Sequence, residues 1–259
     1  MHKATKTQAG FSLLEIMVVL LILMVVMGIV FNAIGQVQKR YRTEEERVDT
    51  MQNARELVDQ ISRDLRNAGY PNRRMFTTTP AATDRAYATG LVAASATAII
   101  FEGDLDNTGS PVKSVQYQLQ PDANGNCPCT LRRSSVDKDG TNQPENMATI
   151  WSAEVENVVN STGNASAYAI TGSTPSGSSN DTVYGSYKTL PVFQFFDGAG
   201  NAVAVPDTLS GSNKATGVSA AASVALVTVN VNIMGPTADL ETGRRPVATM
   251  RTTVKLPNK

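Results

Sequence analysis

Residues 3–31, KATKTQAGFSLLEIMVVLLILMVVMGIVF, decide how this chain begins to fold. From Phe11 to Phe31 the run is almost entirely apolar, but one carboxylate, Glu15, lies near its start. An acid inside a membrane-spanning segment costs about 2.5–3.5 kcal/mol on insertion scales. We therefore expect Glu15 to have a partner that offsets this cost.

The apolar run has the length of a membrane-spanning helix. Its 21 residues would extend about 31 Å at about 1.5 Å per residue, which is enough to cross a bilayer. Lys3 and Lys6 precede it without an acid, which keeps that end in the cytoplasm. An ordinary secretory signal has small residues after its apolar core. Here Ala9 and Gly10 come before it.

The order K-T-Q-A-G-F-S-L-L-E, followed directly by the apolar run, resembles the class III signal peptide of type IV prepilins. The resemblance implies that residues 1–10 are a leader, cut after Gly10 by a prepilin peptidase on the cytoplasmic side. It also implies that Phe11 becomes the N-methylated first residue, with Glu15 fifth in the mature chain. Residues 11–31 would then form the transmembrane and assembly half of a long helix.

This resemblance supplies a partner for Glu15. The new amine on Phe11 would meet Glu15 of a neighbouring subunit in a low-dielectric environment, where opposite charges attract strongly. An intrachain contact is also within reach, and Glu15 could instead snorkel to the cytoplasmic face. The family implies other pilins, the lipid bilayer and an inner-membrane assembly platform as further partners.

The composition argues against an enzyme. Lysines and arginines number 23, as do the acids, and the only histidine is His2. Catalytic triads and zinc sites that need histidine are therefore excluded after leader removal. We find no paired-carboxylate motif, and the neutral balance does not indicate nucleic-acid binding. We expect no enzymatic activity and no cofactor.

The helix should continue through residues 32–69. Apolar residues recur at spacings of three, four and seven, and Gly69 and Pro71 should end the helix. This periodic set consists of Val37, Tyr41, Val48, Met51, Ala54, Val58, Ile61, Leu65 and Ala68.

Residues 70–259 should form a β-rich domain outside the cytoplasm. Six stretches have strand composition and near-alternating polarity, and residues 161–187 form a Ser/Gly/Asn-rich stretch expected to be a long surface loop. The six stretches are 96–104, 112–120, 129–135, 192–197, 223–234 and 247–256. The predicted fold class is α+β, with a long helix packed on an antiparallel sheet.

The order of motifs in this domain is similar to PilW-type minor pilins and to the J-type minor pseudopilin of type II secretion. AIIFEGDLDNTG, FQFFDGAGN and VNVNIMG carry this likeness, while the terminal Lys-Leu-Pro-Asn departs from the expected Arg-Asn ending. The resemblance implies a minor pilin that initiates or supports pilus assembly for adhesion, motility or DNA uptake. A type II secretion pseudopilin is the alternative, and a membrane-anchored binding module or hydrolase is the alternative from another class.

Two smaller features remain open at this stage. Cys127 and Cys129 can form a local disulfide, pair with another chain or stay unpaired. Asp104, Asp106 and Thr108 match the start of a calcium loop, but position twelve is Val115 rather than an acid. A hairpin turn rich in Asp, Asn and Gly explains the same residues, and we favour it over a metal site.

Overall fold

We describe residues 12–160, 183–239 and 242–257 of a computed structural model of the chain. The predicted processing residues Gly10 and Phe11 lie outside these ranges, as do residues 161–182 of the predicted loop. The chain divides into two compact units, residues 1–45 and 46–259. Each unit is described by itself.

One long helix, α1, runs from Leu13 to Asn67. Its sequence contains no proline, and the part after Asn32 is rich in Glu, Gln and Arg, which favour helix. The helical conformation ends before Gly69, whose φ of 77° suits a residue without a Cβ. The Gly69 N–H then donates to the Glu102 carbonyl oxygen at 2.8 Å. The end of α1 is thus fixed by a hydrogen bond to a strand.

The second unit contains an antiparallel sheet of eight strands, counted over the described residues. Their order is β1-β2-β3-β4-β5-β7-β6, with β8 paired to the other edge of β7. The strands are β1 Leu91–Ala94, β2 Ala98–Gly103, β3 Lys113–Gln120, β4 Cys129–Asp137, β5 Trp151–Val158, β6 Phe193–Phe196, β7 Leu226–Met234 and β8 Val247–Lys255. This architecture confirms the predicted α+β class.

All six predicted strands are present, whereas β1 and β5 were not predicted. β1 is only four residues long and fully apolar, so it lacks the alternation that indicates a strand. In β5, the irregular residue Asn157 has a φ of 60° and interrupts the pattern. A short helix, α2, from Asn213 to Ala221 was also missed.

In the part of the chain that the structure describes, three 3-10 helices lie between these elements: Arg73–Met75, Pro144–Asn146 and Gly185–Tyr187. The last of them falls within the stretch predicted as a surface loop, and the neighbouring Tyr184 is only 2% exposed. The surface-loop prediction is therefore corrected for residues 183–187, because the aromatic ring of Tyr184 packs into the core.

The core lies between the sheet and the C-terminal part of α1. Ala54, Ile61 and Leu65 are fully buried in the same cluster as Phe101 and Val229. Leu57, absent from the predicted apolar face, is buried as well. This face is therefore wider than predicted at its C-terminal end.

At the N-terminal end of the predicted apolar face within the second unit, the apolar residues are not buried. The side chains of Val48 and Met51 are 49% and 44% exposed. Periodicity identified them as apolar positions on a helix, but it does not specify where the sheet begins to cover that helix.

Candidate assembly site

The N-terminal part of α1 has an apolar surface on all sides. Every Leu, Ile, Val, Met and Phe from Leu13 to Ile34 is exposed, over a range from 43% at Val30 to 77% at Leu13. By length and composition alone, this helix is long and apolar enough to cross a membrane. So large an apolar surface requires lipid or other apolar helices around it.

Glu15 lies in the first turn of α1, on its exposed surface. The backbone N–H groups of Glu15 and Ile16 donate to the Ser12 carbonyl oxygen at 3.0 and 3.2 Å. A carboxylate in this position is favoured by the unpaired N–H groups at the start of a helix. The first hydrogen bonds of α1 are therefore accepted by Ser12, and the helix itself begins at Leu13.

A polar network ties α1 to the sheet within the second unit. The Asp64 carboxylate accepts hydrogen bonds from the Tyr117 hydroxyl at 2.7 Å and the Arg133 Nε at 3.0 Å. A second guanidinium nitrogen of Arg133 lies 3.0 Å from the same oxygen. Charge-assisted bonds of this kind are stronger than neutral ones. They fix the register of the helix on β3 and β4.

The network shifts the ionisation of its phenol. Burial and, after it, the negative charge of Asp64 raise the pKa of Tyr117 well above its usual value of 10.0. Tyr117 therefore remains a neutral hydrogen-bond donor under ordinary conditions.

This raised pKa predicts a loss of stability in alkali. The unfolded chain ionises Tyr117 near pH 10, while the folded chain does not. The stabilisation is thus complete below the unfolded pKa and is lost as the pH rises toward the folded one. We expect the free energy of unfolding to fall more steeply from about pH 9 to about pH 11 in the wild type than in Tyr117→Phe. Tyr70→Phe, at an exposed position, is the control and should keep the wild-type slope.

A second ion pair is completely buried. Lys138 Nζ lies 2.8 Å from Glu102 Oε2, and both side chains are 0% exposed. Nζ also donates to the Tyr87 carbonyl oxygen at 2.8 Å, and Oε2 accepts from the Thr89 N–H at 2.9 Å. Burying two charges is costly unless hydrogen bonds accompany the pairing. Here those bonds tie β2 to the segment before β1 and the segment after β4.

The DLDNTG stretch forms a turn held by its own acids. Asp104 accepts hydrogen bonds from the backbone N–H groups of Thr108 and Gly109, at 3.1 and 3.0 Å. Asp106 accepts from the Thr108 hydroxyl at 2.8 Å and pairs with Lys113 at 3.3 Å. The Thr108 hydroxyl, followed by Lys113, lowers the pKa of Asp106 to about 2. Over the described ranges no group of three or more metal-binding side chains occurs.

Cys127 and Cys129 are joined by a disulfide bond at the start of β4. Both residues are almost completely buried. The bond therefore lies inside the domain and is not placed to pair with another chain.

The sequence identified Glu15 and the two cysteines but missed both buried networks. Glu102 sits in a stretch that otherwise reads as a strand, and Lys138 in the polar stretch DKDG. Asp64 and Arg133 are likewise 69 residues apart in the chain. No local pattern connects such pairs, and only the fold brings them together.

Comparison with known proteins adds one finding. The profile of the prokaryotic N-terminal methylation motif matches residues 5–31. No curated protein and no solved structure matches the chain. The chain thus carries a type IV prepilin-like class III signal peptide, as its sequence predicted.

This motif defines a general class of protein. It supports a type IV pilin-like prepilin or pseudopilin precursor that is anchored in a membrane by its N-terminus. It also supports contact with pilins and a prepilin peptidase in general, and a structural role rather than an enzymatic one.

Proposed function

We propose that this chain is a minor type IV pilin. In this proposal a prepilin peptidase cleaves after Gly10 and methylates Phe11, and the subunit assembles through its N-terminal helix to initiate or support a pilus. Before assembly it spans the inner membrane once, with the N-terminus in the cytoplasm and the sheet domain in the periplasm. Afterwards it lies in the pilus at the cell surface.

The observation that carries this proposal is the match to the methylation motif at residues 5–31. The match overlaps the N-terminal part of α1, whose apolar side chains are exposed on every side. A membrane shields this surface before assembly, and neighbouring pilin helices shield it in a filament. The same surface therefore serves both stages.

Glu15 has a specific role in this proposal. An acid surrounded by apolar side chains weakens packing unless a cation faces it. The amine created on Phe11 supplies such a cation in the adjacent subunit. The pair forms only at the correct axial offset of two helices, so it selects one register among many apolar contacts.

The buried networks link this helix to the domain that it carries. Asp64 on α1 binds Tyr117 and Arg133 on the sheet. The end of α1 also bonds to β2 through Gly69. A load applied to residues 46–67 of the helix is therefore resisted by the sheet as well as by apolar contacts.

Deletion of the gene in its host, with complementation, tests the proposed role against its alternatives. If the chain is a minor pilin, the deletion strain should have fewer surface filaments and unchanged type II secretion. Loss of secretion with normal filaments would instead favour a type II secretion pseudopilin. If the deletion changes neither filaments nor secretion, and the protein keeps its function in a strain without prepilin peptidase, the chain would be a membrane-anchored binding module or hydrolase.

A further inference from the structure

Strand β5 has one paired and one open hydrogen-bonding edge. On one side, β4 pairs with it from Trp151 to Val158. On the other side, β7 pairs with it only at Val158, opposite Ile233. Among the described residues, no strand pairs with this second edge between Trp151 and Asn157. Its backbone N–H and C=O groups are available to another chain.

The pairing of β5 with β4 is irregular at two places, between Cys129 and Leu131 and between Leu131 and Arg132. Val158 pairs with Cys129 and Val155 with Leu131, so three steps along β5 match two along β4. The extra residue lies in the stretch that contains Asn157, whose φ of 60° is left-handed. Such a bulge bends its strand, and bulges recur where a sheet meets a binding site. Here the bend coincides with the point where β5 and β7 part.

A groove of about 470 Å³ lies beside the open edge. The apolar side chains in its lining are Leu57, Val155, Ile233 and Met234, which are buried or nearly so, and Pro236, which is exposed. The charged side chains in the lining are all acidic. They are Glu56, Glu154 and Glu156, and none forms an ion pair with a described residue.

We propose that this edge binds an extended segment of another protein as an added β-strand, in which Lys or Arg alternates with apolar residues. Backbone bonds to β5 supply affinity, and alternating side chains supply specificity. Apolar side chains of the segment face Leu57 and Met234. Its cations face Glu154 and Glu156, which flank Val155 on β5 and share the opposite face of the strand.

Charge determines which occupant fits. Residues 161–182 of this chain contain no lysine or arginine, so they lack the complementary charge. A second copy that presented the same edge would place glutamates opposite glutamates, and like charges across a strand pair are destabilising. A basic segment from a different chain meets neither obstacle. This contact requires no cleavage or helix assembly and so stands apart from the proposed function.

The test uses the full, uncleaved chain in an uncharged detergent and a fluorescent peptide, acetyl-VKVKVKV-amide. Binding is measured by anisotropy, and amide hydrogen exchange is followed at residues 152–156 with and without peptide. A peptide with the same side chains but alternate N-methylated amides separates strand pairing from charge attraction. The variant Glu154→Lys/Glu156→Lys removes the acids, and Glu44→Lys/Glu45→Lys is the charge-matched control.

We expect saturable binding that slows exchange at residues 152–156. Affinity should fall by about tenfold or more for the N-methylated peptide and for the E154K/E156K variant. The E44K/E45K control should bind like the wild type.

Three results would overturn the proposal. The first is equal or absent binding of both peptides. The second is full protection of residues 152–156 without peptide, which would mean that this chain already covers its own edge. The third is a wild-type dimer that E154K/E156K dissociates, which would make a second copy the occupant. None of these results would bear on processing or filament assembly.

Discussion

Replacement of Glu15 by alanine should lower the amount of this subunit in sheared filaments by about tenfold or more. In this variant the Phe11 amine of the neighbouring subunit has no partner, which costs several kcal/mol in a low-dielectric site. A loss of about 1.4 kcal/mol already lowers an association constant tenfold. Cleavage after Gly10 should continue, because the alanine variant keeps the leader and its junction. Immunoblots of sheared and membrane fractions measure both effects.

The matched control is Glu45→Ala, which removes an exposed acid from the same helix. It should enter filaments at the wild-type level. If the Glu15→Ala subunit also did so, the assembly role of that carboxylate would be refuted.

Replacement of Lys138 by methionine should destabilise the sheet domain by about 3–5 kcal/mol, because Glu102 would then be a buried charge without its cation. For a unit of this size, such a loss corresponds to a melting temperature lower by roughly 10 °C. Thermal unfolding followed by near-ultraviolet circular dichroism measures the shift.

Two further variants identify the cause. The double variant Glu102→Gln/Lys138→Met removes both charges and should recover part of the lost stability. Lys113→Met breaks two partly exposed ion pairs, with Asp106 and with Asp137, and should cost at most about 1 kcal/mol for each. If Lys138→Met and Lys113→Met lowered the free energy of unfolding equally, burial of the Glu102–Lys138 pair would not explain the effect.

The sequence predicted those parts of the fold that have a local period. α1 and strands such as β7 repeat their apolar residues at 3.6 or 2 positions, and a single interval of sequence is enough to recognise them. β1 and β5 escaped because one is short and uniformly apolar and the other contains the left-handed Asn157. Local pattern fails where pairing with distant strands decides the structure.

The residues of the candidate site also differ in whether the sequence alone can identify them. Glu15 stood out because an acid is rare within an apolar run, and the flanking Gly10 and Phe11 gave it context. By contrast, Asp64, Glu102 and Lys138 look like ordinary charged residues in the sequence. Their importance comes from burial and from partners 36 to 69 residues away, which only the folded chain shows.

The most direct test of the proposed pilin pathway is peptide mass spectrometry of the protein's N-terminus, isolated from host membranes or sheared surface material. We expect a terminal peptide that begins at N-methylated Phe11. A peptide that still carries Lys3 and Lys6, from a host with active prepilin peptidase, would contradict it. The function would then have to be sought in the sheet domain.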